Sequence, residues 1–394
     1  MKLSIYKAIS TWTAAILLGT IVVSSFAAET ALLPDEVLSE EEWERVNSAV
    51  ERGLAWLSKQ QQRDGSFPTM PQGQPAVTAL CELSFLAHGH LPADGEYGEQ
   101  LSRAISYVSG CQKDNGLIAF VAPRGPTISR QVSHLVGSTA AYNHAIAALA
   151  LAENYSMGGA EVAERLDPVI NQAITATLEM QKWQKRRRVD LGGWRYLNVT
   201  AEFSEALDSD LSVSGWHLMF LRSAKNAGFD VPQEPIDEAV GFVRRCFIPE
   251  YGSFLLFSSR SNHQTRGMAG AGILALAHAG LHDAPETKLA GDFILKNAFN
   301  QYNVQESFGQ ATYLDDRYHY GAFNCCQAMY QLGGNYWQEF FPPLVRTLLA
   351  NQQPDGSWLA ESHSEDRIYG NAYTTALVLL SLGAPNQLLP IFQR

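Results

Sequence analysis

Two short stretches decide the fold: QQRDGSF at residues 61–67 and QQPDGSW at residues 352–358. Each carries an Asp-Gly pair, which is typical of a tight turn, and each ends on an aromatic residue. The first follows a segment in which Val46, Val50 and Leu54 recur at the spacing of one helix face. The two stretches therefore predict the same helix–turn unit at opposite ends of the chain.

Weaker copies of this turn lie between the two stretches, at residues 112–116, 191–194 and 250–254. The long interval before residue 356 leaves room for one more degenerate copy near residues 307–309. A turn that recurs in this way is the signature of a repeat architecture.

A second, more apolar helix is predicted between successive turns. These helices are expected at residues 75–88, 138–157, 211–227, 268–279, 321–332 and 372–382. A glycine follows each of them, as is common just past a helix end: Gly89, Gly158, Gly228, Gly280, Gly333 and Gly383. Apolar helices that alternate with amphipathic ones predict an inner ring inside an outer ring. We therefore expect an all-α fold, an α/α-toroid of about six helical hairpins, with an open solenoid as the alternative.

Composition narrows the classes of function. The 394 residues carry a formal net charge of −11, which disfavours nucleic acid and anionic lipid surfaces as partners. Five cysteines at irregular spacing do not form a disulfide framework, so buried thiols with at most one bridge are expected. The sequence does not indicate an oligomeric state.

The first residues are typical of targeting. Lys2 and Lys7 precede an uncharged run over residues 8–28, and Ser25 and Ala27 are small residues suited to cleavage. We predict a signal peptide at 1–27, with a retained membrane anchor as the alternative, because about 20 apolar residues can span a bilayer. An N-terminal extension at 28–43, a toroid at 44–383 and a C-terminal tail at 384–394 follow. Either alternative places the protein outside the cytoplasm: periplasmic, extracellular, or membrane-anchored and facing outward.

At its turns the chain resembles the terpenoid cyclase and protein prenyltransferase superfamily, specifically the squalene-cyclase-like repeat. The resemblance rests on residues 61–67 and 352–358 and covers about residues 44–383. It implies that the glutamine and the aromatic residue of each turn tie outer helices together. It also implies a central cavity near the starts of the inner helices. The motif is specific for the fold, so activity must be argued from the cavity.

The resemblance implies an aromatic cavity lining that suits an apolar or cationic ligand. The candidate ligand-binding residues are Trp216, His217, His319, Tyr320, Phe323, Tyr369 and Tyr373. The alternative is that these side chains only fill the core of the toroid.

Residues 208–213 (DSDLSV) resemble a degraded DxDDTA motif, by which squalene-hopene-type cyclases protonate an alkene. Asp208 and the central proton donor, Asp210, match, whereas Leu211 replaces the third aspartate and Ser212 the threonine. An aspartate at a helix start is equally suited to capping the helix and favouring its dipole. Asp210 and Asp208 are therefore candidate catalytic acids, with helix capping as the alternative.

Other chemistries of the superfamily are not indicated. The zinc ligands of prenyltransferase β subunits have no counterpart at residues 320–322 and 369–371, and Tyr97 stands where a thioester cysteine would be needed. We therefore expect no metal and no cofactor. The acid–Arg–aromatic clusters at 315–320 and 365–369 predict local ion pairs, with an anion site at Arg317 and Arg367 as the alternative.

Three functions stay open at this point. The leading one is an exported toroid that binds an apolar isoprenoid-like molecule or a peptide in its cavity, without established catalysis. The second is a terpenoid cyclase that uses Asp210 as its acid, with Trp216, Tyr320 and Tyr373 stabilising carbocations. The third is an interaction scaffold.

Overall fold

A computed structural model describes residues 36–122, 134–197, 208–258, 264–302, 316–361 and 365–393. These ranges contain twelve α-helices and one hairpin of two short strands, β1 (Phe247–Ile248) and β2 (Ser253–Phe254). The helices are α1 (Glu40–Gln60), α2 (Ala76–Leu86), α3 (Gly98–Gly110), α4 (His134–Met157), α5 (Gly159–Gln181), α6 (Leu211–Asn226), α7 (Gln233–Arg245), α8 (Arg266–His278), α9 (Pro285–Lys296), α10 (Tyr318–Leu332), α11 (Gly334–Ala350) and α12 (Gly370–Leu382).

The even-numbered helices form a closed inner ring. Each packs against the next, and α12 packs against α2. The odd-numbered helices lie outside this ring, and the first of them, α1, packs chiefly against the last inner helix. The expected α/α-toroid of six inner and six outer helices is confirmed, and the open solenoid is excluded.

Burial explains the two kinds of helix. Every residue of α2 and of α8 is buried, because inner helices are enclosed by neighbours on all sides. Outer helices bury one face only: α7 buries Ile236, Ala239, Phe242 and Val243 and exposes its charged residues. Helix α4 is long and apolar enough to cross a membrane, but most of it is buried inside the protein.

In four of the described turns a glutamine links two outer helices. The side-chain amide of Gln352 donates to the carbonyl of Gly356 in its own turn (2.9 Å) and to that of Ala49 in α1 (2.8 Å). Gln61, Gln112 and Gln181 make equivalent pairs of bonds. The role that the resemblance implied for these glutamines is therefore observed.

The aromatic residue of the turn is held by the inner ring. The backbone N–H of Trp358 donates to the hydroxyl of Thr375 in α12 (3.0 Å), and that of Phe67 donates to Thr78 in α2 (3.0 Å). The indole N–H of Trp358 reaches the carbonyl of Leu348 (2.8 Å). These bonds satisfy buried polar groups and fix each turn between an inner and an outer helix.

Several sequence expectations concern the chain ends or the cysteines. Residues 1–35, with the expected signal peptide or anchor, and the degenerate turn near 307–309 lie outside the described residues. The domain boundaries therefore stay predictions. The segment expected to be a C-terminal tail packs against the protein and buries Leu389, Ile391 and Phe392. All five cysteines are buried and unbridged.

Candidate functional site

A cavity of about 600 Å³ lies at the N-terminal ends of the six inner helices. Each inner helix contributes to its wall; one residue from each is Val77, Tyr142, Trp216, Met268, Tyr320 and Tyr373. The remaining apolar wall comes from aliphatic side chains such as Leu80, Ile146, Leu256 and Leu377. The cavity that the resemblance implied is therefore present in the toroid.

Four of the seven predicted ligand-binding residues line this cavity: Trp216, Tyr320, Tyr369 and Tyr373. Each projects from the first turns of an inner helix or from the residue just before one. Tyr369 and Tyr373 lie one turn apart, with ring centroids 5.4 Å from each other. Their shared face places two aromatic rings on one side of the cavity.

Two further tyrosines, Tyr142 and Tyr196, also line the cavity. The hydroxyl of Tyr142 donates to Ser212 Oγ (3.0 Å), which is also hydrogen-bonded to the hydroxyl of Tyr320 (2.8 Å). Burial raises the pKa of Tyr142 and of Tyr320, so both hydroxyls stay protonated at neutral pH. The sequence around Tyr196 does not indicate a cavity residue, because a turn gives no sign of which way the ring points.

The other three predicted ligand-binding residues lie behind the wall. His217 is buried against Trp194, with ring centroids 5.2 Å apart, and its Nδ1 donates to the carbonyl of Val213 (2.9 Å). Burial lowers the pKa of His217 to about 4, so the ring is neutral. His319 is enclosed between two side chains, with Nδ1 2.9 Å from Glu361 Oε1 and Nε2 2.9 Å from the Tyr302 hydroxyl.

Phe323 is the third of these residues. It stacks on Trp216, with centroids 5.6 Å apart and an interplanar angle of 7°, but is not among the residues that line the cavity. It is almost fully buried. Phe323 therefore supports a cavity residue without lining the cavity itself.

Asp210 also lies behind the cavity wall. Its Oδ1 accepts from the backbone N–H of Val213 (2.8 Å), which caps α6, and its Oδ2 is paired with Arg195. Burial raises the pKa of Asp210 against the opposing effect of Arg195. The Arg195 guanidinium lies 4.2 Å from the ring centroid of Tyr196, which forms the wall at this point. The carboxyl thus carries out the capping role that was the alternative to catalysis.

Asp208 lies further from the cavity, at the surface. It is paired with Arg186 and accepts from the backbone N–H of the same residue (2.6 Å). Partial burial works against its ionisation, but these hydrogen bonds hold the pKa of Asp208 below its usual value. Neither aspartate of residues 208–213 is among the residues that line the cavity.

Two other carboxylates do line the cavity, and both are ion-paired across neighbouring units. Asp316 pairs with Arg266 of α8, and Asp366 pairs with Arg317, which precedes α10. The hydroxyl of Tyr373 donates to the second oxygen of Asp366 (3.2 Å). These two pairs join neighbouring units, and residue order does not show which arginine a neighbouring unit supplies. The local pairs that Asp315 and Glu365 would form lie outside the described side chains and stay a prediction.

The two arginines of these clusters come together at the cavity. Arg317 and Arg367 both line it, beside Asp366 and Tyr369. Arg317, Asp366 and Tyr373 are connected through the Asp366 carboxyl and form a polar corner of the wall. Among the described residues, no group of three His, Cys, Asp or Glu side chains is placed to hold a metal ion.

Comparison with solved structures identifies the architecture. A variant of the type II terpene cyclase MstE from Scytonema, in complex with its product merosterolic acid A, matches with a TM-score of 0.57 at 15% identity, covering 89% of this chain and 100% of that one. A second MstE variant, with the substrate geranylgeranyl dihydroxybenzoate, matches with a TM-score of 0.56, the same identity and the same coverage. The fold is terpenoid cyclase-like.

The same fold occurs in a protein of different activity. A glycosidase variant in complex with glucose matches with a TM-score of 0.55 at 12% identity, covering 90% of this chain and 100% of that one. No family model and no curated protein matches the sequence. At these identities the likeness shows the fold alone, so the function must come from the cavity.

Proposed function

We propose that this protein is an exported toroid that binds an apolar, isoprenoid-like molecule in its central cavity. The observation that carries the proposal is the cavity of about 600 Å³, walled by aliphatic and aromatic side chains from all six inner helices. Small-molecule sites are concave, largely apolar and typically 300–1,000 Å³ in volume. The export part rests on the targeting pattern of residues 1–27.

The polar corner orients the ligand. Arg317, Asp366 and Tyr373 form a connected set of charged and hydroxyl groups at one side, and Arg367 adds a second positive charge. A few polar groups in an otherwise apolar site fix the direction in which a ligand enters. A ligand with an apolar chain and one polar or anionic end therefore suits this cavity better than a pure hydrocarbon.

The geometry gives less support to sugar hydrolysis. A glycosidase needs one neutral carboxylic acid and a second carboxylate on either side of the scissile bond. Here Asp316 and Asp366, the two carboxylates of the described wall, are each held by an arginine. Burial raises the pKa of both carboxyls, that of Asp316 to about 6, against the opposing effect of the arginines. Their oxygens, however, already accept hydrogen bonds from Arg266, Arg317 and Tyr373, so neither carboxyl is free to protonate a glycosidic oxygen.

The geometry also gives less support to a cyclase that uses Asp210, or to a scaffold. Alkene protonation requires an acid that touches the substrate, whereas both oxygens of Asp210 are engaged behind Tyr196. A scaffold does not need an internal cavity of this size. Ligand binding uses the cavity and does not require Asp210 to reach it.

The test is direct binding of geranylgeraniol to the purified mature protein, measured by titration calorimetry. Ser138 lies on the cavity wall, so Ser138→Trp places a ring in the cavity and should weaken binding at least about tenfold. Ser106→Trp is the matched control, because Ser106 is exposed on α3, and should bind like the unmodified protein. Equal binding by both variants, or binding of glucose but not of the alcohol, would contradict the proposal.

A further inference from the structure

The C-terminal segment, residues 384–393, crosses the end of the inner ring opposite to the cavity. The side chain of Asn386 donates to the carbonyl of Ala87 (3.1 Å), at the end of α2. The backbone N–H of Ile391 donates to Glu153 Oε2 (3.2 Å), near the end of α4. These bonds attach the segment to two neighbouring inner helices at their C-terminal ends.

Phe392 carries the segment to the other side of the ring. Its carbonyl accepts from the side-chain amide of Gln331 in α10 (2.6 Å). Its ring lies 6.1 Å from that of His278, the last residue of α8, and is almost fully buried. Together with α12, which leads into it, the segment is thus held by inner helices from both halves of the ring.

A stack of three aromatic rings connects this segment with the cavity. The ring of Phe392 meets that of Phe323 edge to face, with centroids 6.1 Å apart. Phe323 in turn stacks on Trp216, which lines the cavity. The cavity wall at Trp216 is therefore backed by the rings of Phe323 and Phe392 in series.

A small space of about 10 Å³ lies beside the stack, between α6, α8 and α10. It shares Ser212, Trp216 and Tyr320 with the wall of the large cavity, and it reaches down to Met219 and Ala275. A space of this size holds about one water molecule. The large cavity, the small space and the C-terminal segment therefore follow one another along the axis of the inner ring.

We infer that the C-terminal segment is a plug that sets the depth of the cavity, and that Phe392 limits the chain length of the ligand. Phe392 does not touch the cavity, so it is a positioning residue that acts through Phe323 and Trp216. The inference rests on the proposed function, since it concerns the ligand of the same cavity. It assigns the selection of chain length to a segment for which the sequence indicated no role.

The physical reason is that Phe392 packs against Phe323, which in turn packs on Trp216. Removing the Phe392 ring leaves a void behind Phe323, and side chains that line a void lose their packing contacts. Phe323 can then turn away from Trp216, and the small space joins the large cavity. A longer ligand regains the lost contacts by filling the space, so it should bind relatively better to the variant.

The experiment compares three prenyl alcohols of increasing length: farnesol, geranylgeraniol and geranylfarnesol. Dissociation constants are measured by titration calorimetry for the unmodified protein, Phe392→Ala and Phe392→Leu. We expect the affinity for geranylfarnesol relative to farnesol to rise about tenfold or more in Phe392→Ala, because additional carbon atoms become buried. The rise should be smaller in Phe392→Leu, which keeps most of the plug and guards against a variant that fails to fold.

Phe340→Ala is the matched control. Phe340 is also almost fully buried, but it belongs to the outer helix α11 and packs against Phe299. The Phe340→Ala variant should be less stable but keep the ratio of the geranylfarnesol affinity to the farnesol affinity. If this ratio is the same in the unmodified protein and in every variant, the inference is wrong. If the unmodified protein binds none of the alcohols, the proposed function fails. Crystal structures of the unmodified protein and Phe392→Ala then decide the inference by themselves, since an unchanged cavity wall at Trp216 overturns it.

Discussion

At the scale of single residues, Asp210 shows how one carboxyl group serves two structural purposes. One oxygen caps α6 through the N–H of Val213, and the other is paired with Arg195. The sequence places Asp210 at a helix start, which indicates capping and acid catalysis equally well. Only the structure shows that the carboxyl points toward Arg195 and not into the cavity, because that partner comes from a separate turn of the chain.

The substitution Asp210→Asn separates these roles. The amide keeps an oxygen for the cap but leaves the partly buried Arg195 without its counter-charge, so we expect a loss of about 3 kcal/mol in unfolding free energy. Asp208→Asn, at the surface pair with Arg186, should cost less than about 1 kcal/mol. Urea unfolding measures both, and geranylgeraniol binding should be unchanged. If the Asp210→Asn protein has normal stability but no longer binds geranylgeraniol, Asp210 belongs to the ligand site.

At the scale of elements, helix α4 runs from the side of the inner ring that holds the cavity to the side that the C-terminal segment covers. Its first turns line the cavity with Ser138 and Tyr142, and its last turns hold the C-terminal segment through Glu153. The sequence predicted this helix from its apolar composition and the glycine after it. It did not predict that residues 384–393 form a plug, because two short 3₁₀ turns with buried apolar residues carry no helical or strand period.

The attachment of the plug should depend on pH. Burial raises the pKa of Glu153 to about 7 from an ordinary value of 4.5, against hydrogen bonds from Ser223 and Ile391. The folded protein thus binds this proton more tightly than the unfolded chain. The stability that Glu153 contributes is complete below about pH 4.5 and is lost as the pH rises through about 7.

Glu153→Gln removes this titration and keeps the shape of the side chain. Between pH 5 and pH 8 we expect the unmodified protein to lose about 2.5 kcal/mol of unfolding free energy relative to the variant. Urea unfolding of both proteins at the two pH values gives the difference, in which the titration of the buried histidines cancels. Parallel pH profiles would show that Glu153 has an ordinary pKa and that the plug is held by packing alone.

At the scale of the whole molecule, the fold could be predicted almost entirely and the site only in part. The Gln–Gly–aromatic turn is local, so its spacing reveals the helical hairpins and their order without knowledge of contacts. The cavity wall, in contrast, is formed by residues that are far apart in the sequence. Whether a ring at the start of an inner helix faces inward, as Tyr320 does, or sideways, as His319 does, depends on neighbouring units that the order of residues does not identify.

Closure of the ring has a consequence for stability, because a closed ring has no terminal unit. Gly356 lies where the first and last outer helices meet, which is where the ring closes. Gly116 lies between two outer helices away from this junction. A Cβ on Gly356 would approach the Arg52 carbonyl oxygen to 2.4 Å, and one on Gly116 would approach that of Gln172 to 2.3 Å. Both glycines also have positive φ angles, +98° and +81°.

Gly356→Ala and Gly116→Ala should therefore destabilise the protein equally. Gly228→Ala is the control, since Gly228 has a φ of +96° with open space around it and should cost about 1–2 kcal/mol from backbone strain alone. The other two should each cost at least about 2 kcal/mol more, because the clash pushes an outer helix away. Urea unfolding followed by circular dichroism and tryptophan fluorescence should give one coincident transition for each variant. In an open array the terminal unit would fray separately, so a Gly356→Ala variant no less stable than Gly228→Ala would contradict closure of the ring.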